Sequence, residues 1–161
     1  SAHLVLQLAR HLDPGAEVYV FARDRAAREL ALDLGAAWTG PVGARAPEGV
    51  DAIIDTTPAW TPVVEAMANL RPGGRLVINA IRKENADKDA LLSLSYHDHL
   101  WMEREIKTVA NITASDISDF LGIAAEIPIR PTVTTYPLTE ANRALVELKR
   151  KPVTGAKVLC I

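Results

Sequence analysis

Between Leu4 and Asn111 the apolar residues change their spacing repeatedly, from every third or fourth position to short unbroken runs. Leu4, Val5, Leu8, Ala9 and Leu12 recur at helical spacing, and Asp13, Pro14 and Gly15 break that helix. Residues 17–21 (EVYVF) read as a buried strand. Asp24 stands where its carboxylate can cap the next helix, whose face is Ala27, Leu30, Ala31 and Leu34 until Gly35 ends it. Residues 38–49 (WTGPVGARAPEG) read as loop and 50–55 (VDAIID) as strand. Pro62 fits a first helical turn, and Val63, Val64, Met67 and Leu70 carry that helix to a turn at 71–74 (RPGG). Strand 75–81 (RLVINAI), a charged, solvated loop at 82–89 and strand 105–111 (EIKTVAN) complete the series. Parallel strands need crossover helices, so this alternation predicts an α/β chain with a doubly wound parallel sheet.

The series opens on a helix. In doubly wound sheets the phosphate-binding turn joins the first strand to the first helix. The expectation is therefore a sheet lacking its first strand, with Ser1 inside the turn and Ala2 at the last small position of a G-x-G-x-x-G/A pattern.

A chain of 161 residues, 48% hydrophobic and 24% charged, can bury a single core. Its net charge of −2 and dispersed Lys and Arg point to neither a nucleic acid nor an anionic membrane as partner. Cys160 has no second cysteine to pair with, which suits a reducing compartment, and its apolar terminal strand predicts a small buried hydrophobe. With no signal peptide or membrane-length apolar run, the expected location is cytoplasmic.

Four stretches, in order over nearly the whole chain, resemble the C-terminal, cofactor-binding half of the zinc-containing alcohol dehydrogenases of the medium-chain dehydrogenase/reductase superfamily. They are 27–38 (ARELALDLGAAW), 49–58 (GVDAIIDTTP), 67–81 (MANLRPGGRLVINAI) and 136–161 (YPLTEANRALVELKRKPVTGAKVLCI). The resemblance implies a Rossmann-like domain, a nicotinamide dinucleotide, and hydride transfer to or from a small alcohol or aldehyde in the full-length enzyme. It also implies that zinc is held only in an N-terminal domain that these residues do not include, so that this stretch alone is a fragment without catalytic residues of its own. A homodimer is implied too, since the family dimerises through its Rossmann sheets.

Cofactor contacts are expected at the carboxyl ends of the strands. Ala22 and Arg23 end the second strand of the family pattern, where an acidic residue selects NAD through the ribose hydroxyls. Arg23 can neutralise a 2′-phosphate while Asp24 pulls the other way, which leaves NADP or NAD open with NADP favoured. Thr56, Thr57 and Pro58, then Asn79 and Ala80, then Val109, Ala110 and Asn111 match positions that contact ribose and nicotinamide in the family.

His97, Asp98 and His99 lack a third or fourth ligand at zinc spacing, so no metal site is expected. Tyr96, Trp101, Glu103 and Arg104 match a segment that shapes the loop before the last parallel strand, with packing and an ion pair as their roles. Residues 114–127 form an amphipathic helix through Ile117, Phe120, Leu121, Ala124 and Ala125, capped by Ser115 or Asp116 and expected to cover the sheet. Strands 129–138 and 155–161 return to the catalytic domain in full-length relatives, which divides the chain into 1–127 and 128–161. The competing readings are a catalytically inactive binding or dimerisation domain from the same family, and a methyltransferase-like domain, against which segment 136–145 speaks.

Overall fold

The structure, a computed structural model, describes residues 2–129, 131–150 and 155–161, so Ser1 lies outside the described residues. The elements run α1 (Ala2–Leu12), β1 (Tyr19–Phe21), α2 (Arg25–Asp33), β2 (Trp38–Gly40), β3 (Val50–Asp55), α3 (Thr61–Met67), β4 (Leu70–Ile78), β5 (Glu105–Thr108), α4 (Ala114–Glu126), β6 (Val133–Pro137), α5 (Ala141–Arg150) and β7 (Ala156–Cys160). Every strand pair is parallel: β1 with β2, β3 with β4 and β4 with β5, β6 with β7. The α/β alternation of the sequence is borne out.

Among the described residues β1 bonds only to β2, and β3 only to β4. A cleft of about 500 Å³, lined by Asp13, Glu17, Tyr19, Glu48, Val50 and Arg71, lies between their amino ends. This break between β1 and β3 is where a doubly wound sheet seats its first strand. The cores divide in the same way. Val63, Met67, Leu70, Leu76 and Ile78 pack together under β3–β5. Leu6, Ala31 and Ala36 form a second cluster with Val18, Val20 and Leu34.

Several expectations need correction. Residues 38–40 are a strand, not loop. Trp38 packs edge-on against Tyr19 and Phe21 across the ladder, with ring centroids 6.2 and 5.3 Å apart, and any side chain at Gly40 would run into the Trp38 ring. The aromatic packing that stabilises so short a strand comes from β1, so the segment read alone shows only its Gly and Pro. The 71–74 turn is likewise inside β4, which pairs with β3 on both sides of a bulge between Val50 and Ala52. On α1 the buried residue is Leu6, while Leu12 is 65% exposed. Asp24 holds the N-cap position of α2 but its carboxylate makes no capping bond. Gly35 does end α2, at φ 93°.

Helix α4 is capped by Thr113 rather than Ser115 or Asp116. Thr113 accepts the Asp116 amide, and the Asp116 carboxylate accepts the Thr113 amide in return. The helix buries none of its residues, and Ile117, Phe120 and Leu121 remain exposed, so it does not cover the sheet. The β6–β7 pair carries α5, with Tyr136 buried between Lys157 and Glu147. Cys160 is exposed rather than buried, because among the described residues β7 has only β6 beside it.

Candidate functional site

Register alignment makes one sheet edge. Asp55 pairs with Ile78 and Ile78 with Thr108, so the three strands of this sheet end level. Two further bonds extend the ladder past these ends: the Asn79 amide donates to the Asp55 carbonyl (2.7 Å) and the Val109 amide to the Ile78 carbonyl (3.2 Å). Thr56–Pro58, Asn79–Ala80 and Val109–Asn111 are thereby brought together on the carboxyl edge. Asn79 and Val109–Asn111 are exposed there. Asn111 adopts a left-handed backbone, φ 64°, which Asn tolerates better than most residues and which turns the chain towards the Thr113 cap. The site elements of β1 lie at the carboxyl end of the separate two-stranded sheet. Ala2 is the exposed first residue of α1.

At the exit of β1, Arg28 of α2 donates to the carbonyls of Ala22 (2.7 Å) and Arg23 (2.9 Å). Arg23 itself is exposed, and its guanidinium meets no partner among the described residues. It is a cation available to a ligand, next to the Asp24 carboxylate.

The loop after β4 is mostly exposed, as its charges suggest, but Lys83 and Asp87 are drawn in. Lys83 reaches back to the end of β3, its side chain 10% exposed beside an Asp55 side chain 4% exposed. Its ammonium donates to Asp55 Oδ2, to the Thr57 carbonyl (2.9 Å) and to the Ala59 carbonyl (2.8 Å), 5.7 Å from the centre of the Trp60 ring. Asp55 Oδ1 accepts from the Thr57 amide (3.1 Å) and hydroxyl (2.8 Å). The Glu84 amide donates to the Pro58 carbonyl at 2.7 Å. Asp87 accepts from the amides of Trp60 and Thr61 and from the Thr61 hydroxyl, at 2.8 to 3.1 Å. These bonds, first from Thr61 and then from Trp60, hold the Asp87 carboxyl below its ordinary pKa. Sequence reasoning missed Lys83, Asp87 and Arg28, since a Lys five residues past a strand looks the same in sequence whether it is buried or solvated. The one available signal was Asp55, a carboxylate ending an apolar strand that needs a buried partner.

Residues 96–100 form a π-type turn. His99 Nδ1 lies 2.9 Å from the Ser95 amide, and Tyr96 packs edge-on against His97 and Trp101. Arg104 donates to the carbonyls of Leu70 (3.0 Å) and Asp98 (2.8 Å), not to a carboxylate, so the expected ion pair is a pair of backbone anchors instead. Among the described residues no three His, Cys, Asp or Glu side chains converge as metal ligands. The zinc implied by the resemblance therefore has no ligand set here. The nicotinamide dinucleotide implied by it fits better, because level strand ends, the small residues Ala80 and Ala110 and a free Arg23 leave room and charge for a nucleotide.

The fold is that of a Rossmann-like α/β domain, shared with domains of alcohol dehydrogenases. The sequence comparison agrees: the chain is 38% identical over 161 residues to the probable alcohol dehydrogenase AdhA of Mycobacterium tuberculosis, a match spanning 100% of this chain and 44% of that protein. It resembles part of an alcohol dehydrogenase, and spans less than half the length of that relative. The fold is shared with the alcohol dehydrogenase of Aeropyrum pernix (22% identity, TM-score 0.74, 96% of this chain and 45% of that one). It is shared too with the acetophenone reductase of Geotrichum candidum, solved in complex with NAD (18% identity, TM-score 0.73, 96% and 43%). No protein-family model matches the chain. No helix among the described residues is long and apolar enough to cross a membrane.

Proposed function

We propose that the chain is the nicotinamide-dinucleotide-binding portion of an alcohol dehydrogenase, in which hydride passes between the cofactor and a small alcohol or aldehyde. The observation that carries this is the levelling of Thr56, Asn79 and Val109 on one carboxyl edge, within a chain similar over its whole length to part of an alcohol dehydrogenase. The bound dinucleotide supplies the hydride carrier. The chain's residues bind and orient it: Arg23 offers charge to an adenosine 2′-phosphate, which favours NADP, and the strand ends flank the nicotinamide and ribose. Residues 1–127 form the binding unit, with Ser1 and Ala2 belonging to its phosphate turn, and 128–161 form a segment that meets a catalytic domain. Zinc is held by that domain, and the enzyme works in the cytoplasm.

Calorimetric titration of the natively expressed protein, at its native length, tests this reading. Saturable binding of NADP or NAD, competed by ADP-ribose, is expected, and binding of neither overturns it. The 161-residue chain by itself is expected to oxidise no alcohol with either cofactor, with or without zinc, because its described residues assemble no zinc ligand set. Steady turnover by that chain overturns the assignment of catalysis to another domain.

A dimerisation role has its own support. All four residues of β5 are exposed, and β5 is an edge strand of its sheet among the described residues. Tyr96, Leu100, Trp101 and Met102 expose apolar surface just before it. An open edge flanked by apolar side chains suits a second copy of the chain.

A further inference from the structure

We propose that Lys83 is a positioning residue for the cofactor edge, an internal cation that holds segment 56–59 in the shape the dinucleotide meets. This rests on the cofactor reading above. An ammonium has three protons and no acceptor. Here all three directions are taken, by Asp55 and by the carbonyls of Thr57 and Ala59. Lys83 therefore has no donor left for a ligand, and its effect on one passes through the segment it gathers.

That segment is held from both ends by three residues of a single loop, Lys83, Glu84 and Asp87. Lys83 takes 55, 57 and 59, the Glu84 amide takes the Pro58 carbonyl, and Asp87 takes the amides at 60 and 61. The consequence separates two adjacent threonines. The amide, hydroxyl and carbonyl of Thr57 are all engaged within the clamp. The Thr56 hydroxyl meets no partner among the described residues and stands level with Asn79 at the edge. Thr56 is thus the residue of the pair that contacts the cofactor, whereas Thr57 belongs to the clamp with Asp55 and Lys83. The same loop ties the position of the edge to the residues after β4, so changes at Lys83 reach the cofactor without touching it.

The test uses the natively expressed protein with Lys83→Met and with the double variant Lys83→Met/Asp55→Asn. The double variant removes the unpaired buried carboxylate that a single change leaves. Hydrogen exchange is the first readout. In the double variant the amides of Thr57 and Glu84 are expected to exchange about ten-fold faster or more, with those of Leu76 and Ile78 unchanged. Unchanged protection at Thr57 and Glu84 overturns the clamp. Steady-state kinetics is the second: KM for the dinucleotide should rise about ten-fold with kcat within about two-fold, because a residue that only maintained the fold would lower the active fraction and leave KM alone. Faster exchange with KM unchanged overturns the positioning role. Thr56→Ala should raise KM for the cofactor with exchange at Glu84 unchanged. Wild-type protein that binds neither dinucleotide overturns the cofactor reading and the positioning role with it, and the exchange readout then reports on the clamp alone.

Discussion

Arg28 donates to the carbonyl of Ala22 at 2.7 Å, so the exit of β1 is fixed by the helix that follows it rather than by the strand itself. A second bond, to the Arg23 carbonyl, leaves the Arg23 side chain pointing free of the backbone network. Arg23→Ala in the native-length protein should weaken NADP much more than NAD, by roughly 1–3 kcal/mol for a lost charge-assisted bond to phosphate. Calorimetric titration with each cofactor measures it. Equal losses would make Arg23 an ordinary surface residue.

Met67 is fully buried at the centre of the core under β3–β5, beside Leu76 and Val63. Met67→Ala should lower stability by about 2–5 kcal/mol, as removing a buried side chain leaves a cavity its neighbours fill only in part. The urea midpoint by circular dichroism reads this. A drop under about 1 kcal/mol would mean that the core relaxes freely into the space.

The Asp87 carboxyl has its pKa lowered from 3.8 by bonds from the Thr61 and Trp60 amides to its charged form. A depressed folded pKa contributes stability above the ordinary value, and that contribution is lost as pH falls below about 3.8 through the lower folded value. Asp116, held down by Thr113, and Glu105, held down by Arg75, lose stability in the same direction. Asp87→Asn should therefore be less stable than the wild type at pH 7, with the gap closing on acidification below pH 4. Urea midpoints of both proteins across pH 2 to 7 give the comparison, and a constant gap would show that Asp87 acts through its shape and not its charge.

Light scattering on the purified chain should give twice the mass of one chain, and Trp101→Asp with Met102→Asp should shift it to the monomer. The two residues are 50% and 51% exposed next to the open β5 edge, so burying them is the main apolar gain of pairing there. A wild-type monomer, with intact-mass spectrometry excluding a retained fragment, would remove the dimer.

The alternation of Val50–Asp55, α3 and the 75–78 part of β4 could be read from sequence because a parallel strand buried in a doubly wound sheet is a continuous apolar run and its crossover helix shows the 3.6-residue period. The edge residues followed from it, since strand ends are countable once strands are. Trp38–Gly40 and the Leu70–Gly74 part of β4 were not legible, because Gly and Pro signal turns locally and only the neighbouring ladder overrides them. Local order also failed at Cys160 and at α4, where burial depends on a second layer that no periodicity announces. Lys83 and Asp87 lie furthest from what sequence can reveal. Their charges predict solvent, and only the fold, by bringing residue 83 against Asp55 and residue 87 against Thr61, makes an ion pair and a helix cap out of them. Sequence determines which segments are strands and helices through short-range periodicity. Which polar side chains leave water is decided by contacts between residues 26 to 28 positions apart, and those exist only in the folded chain.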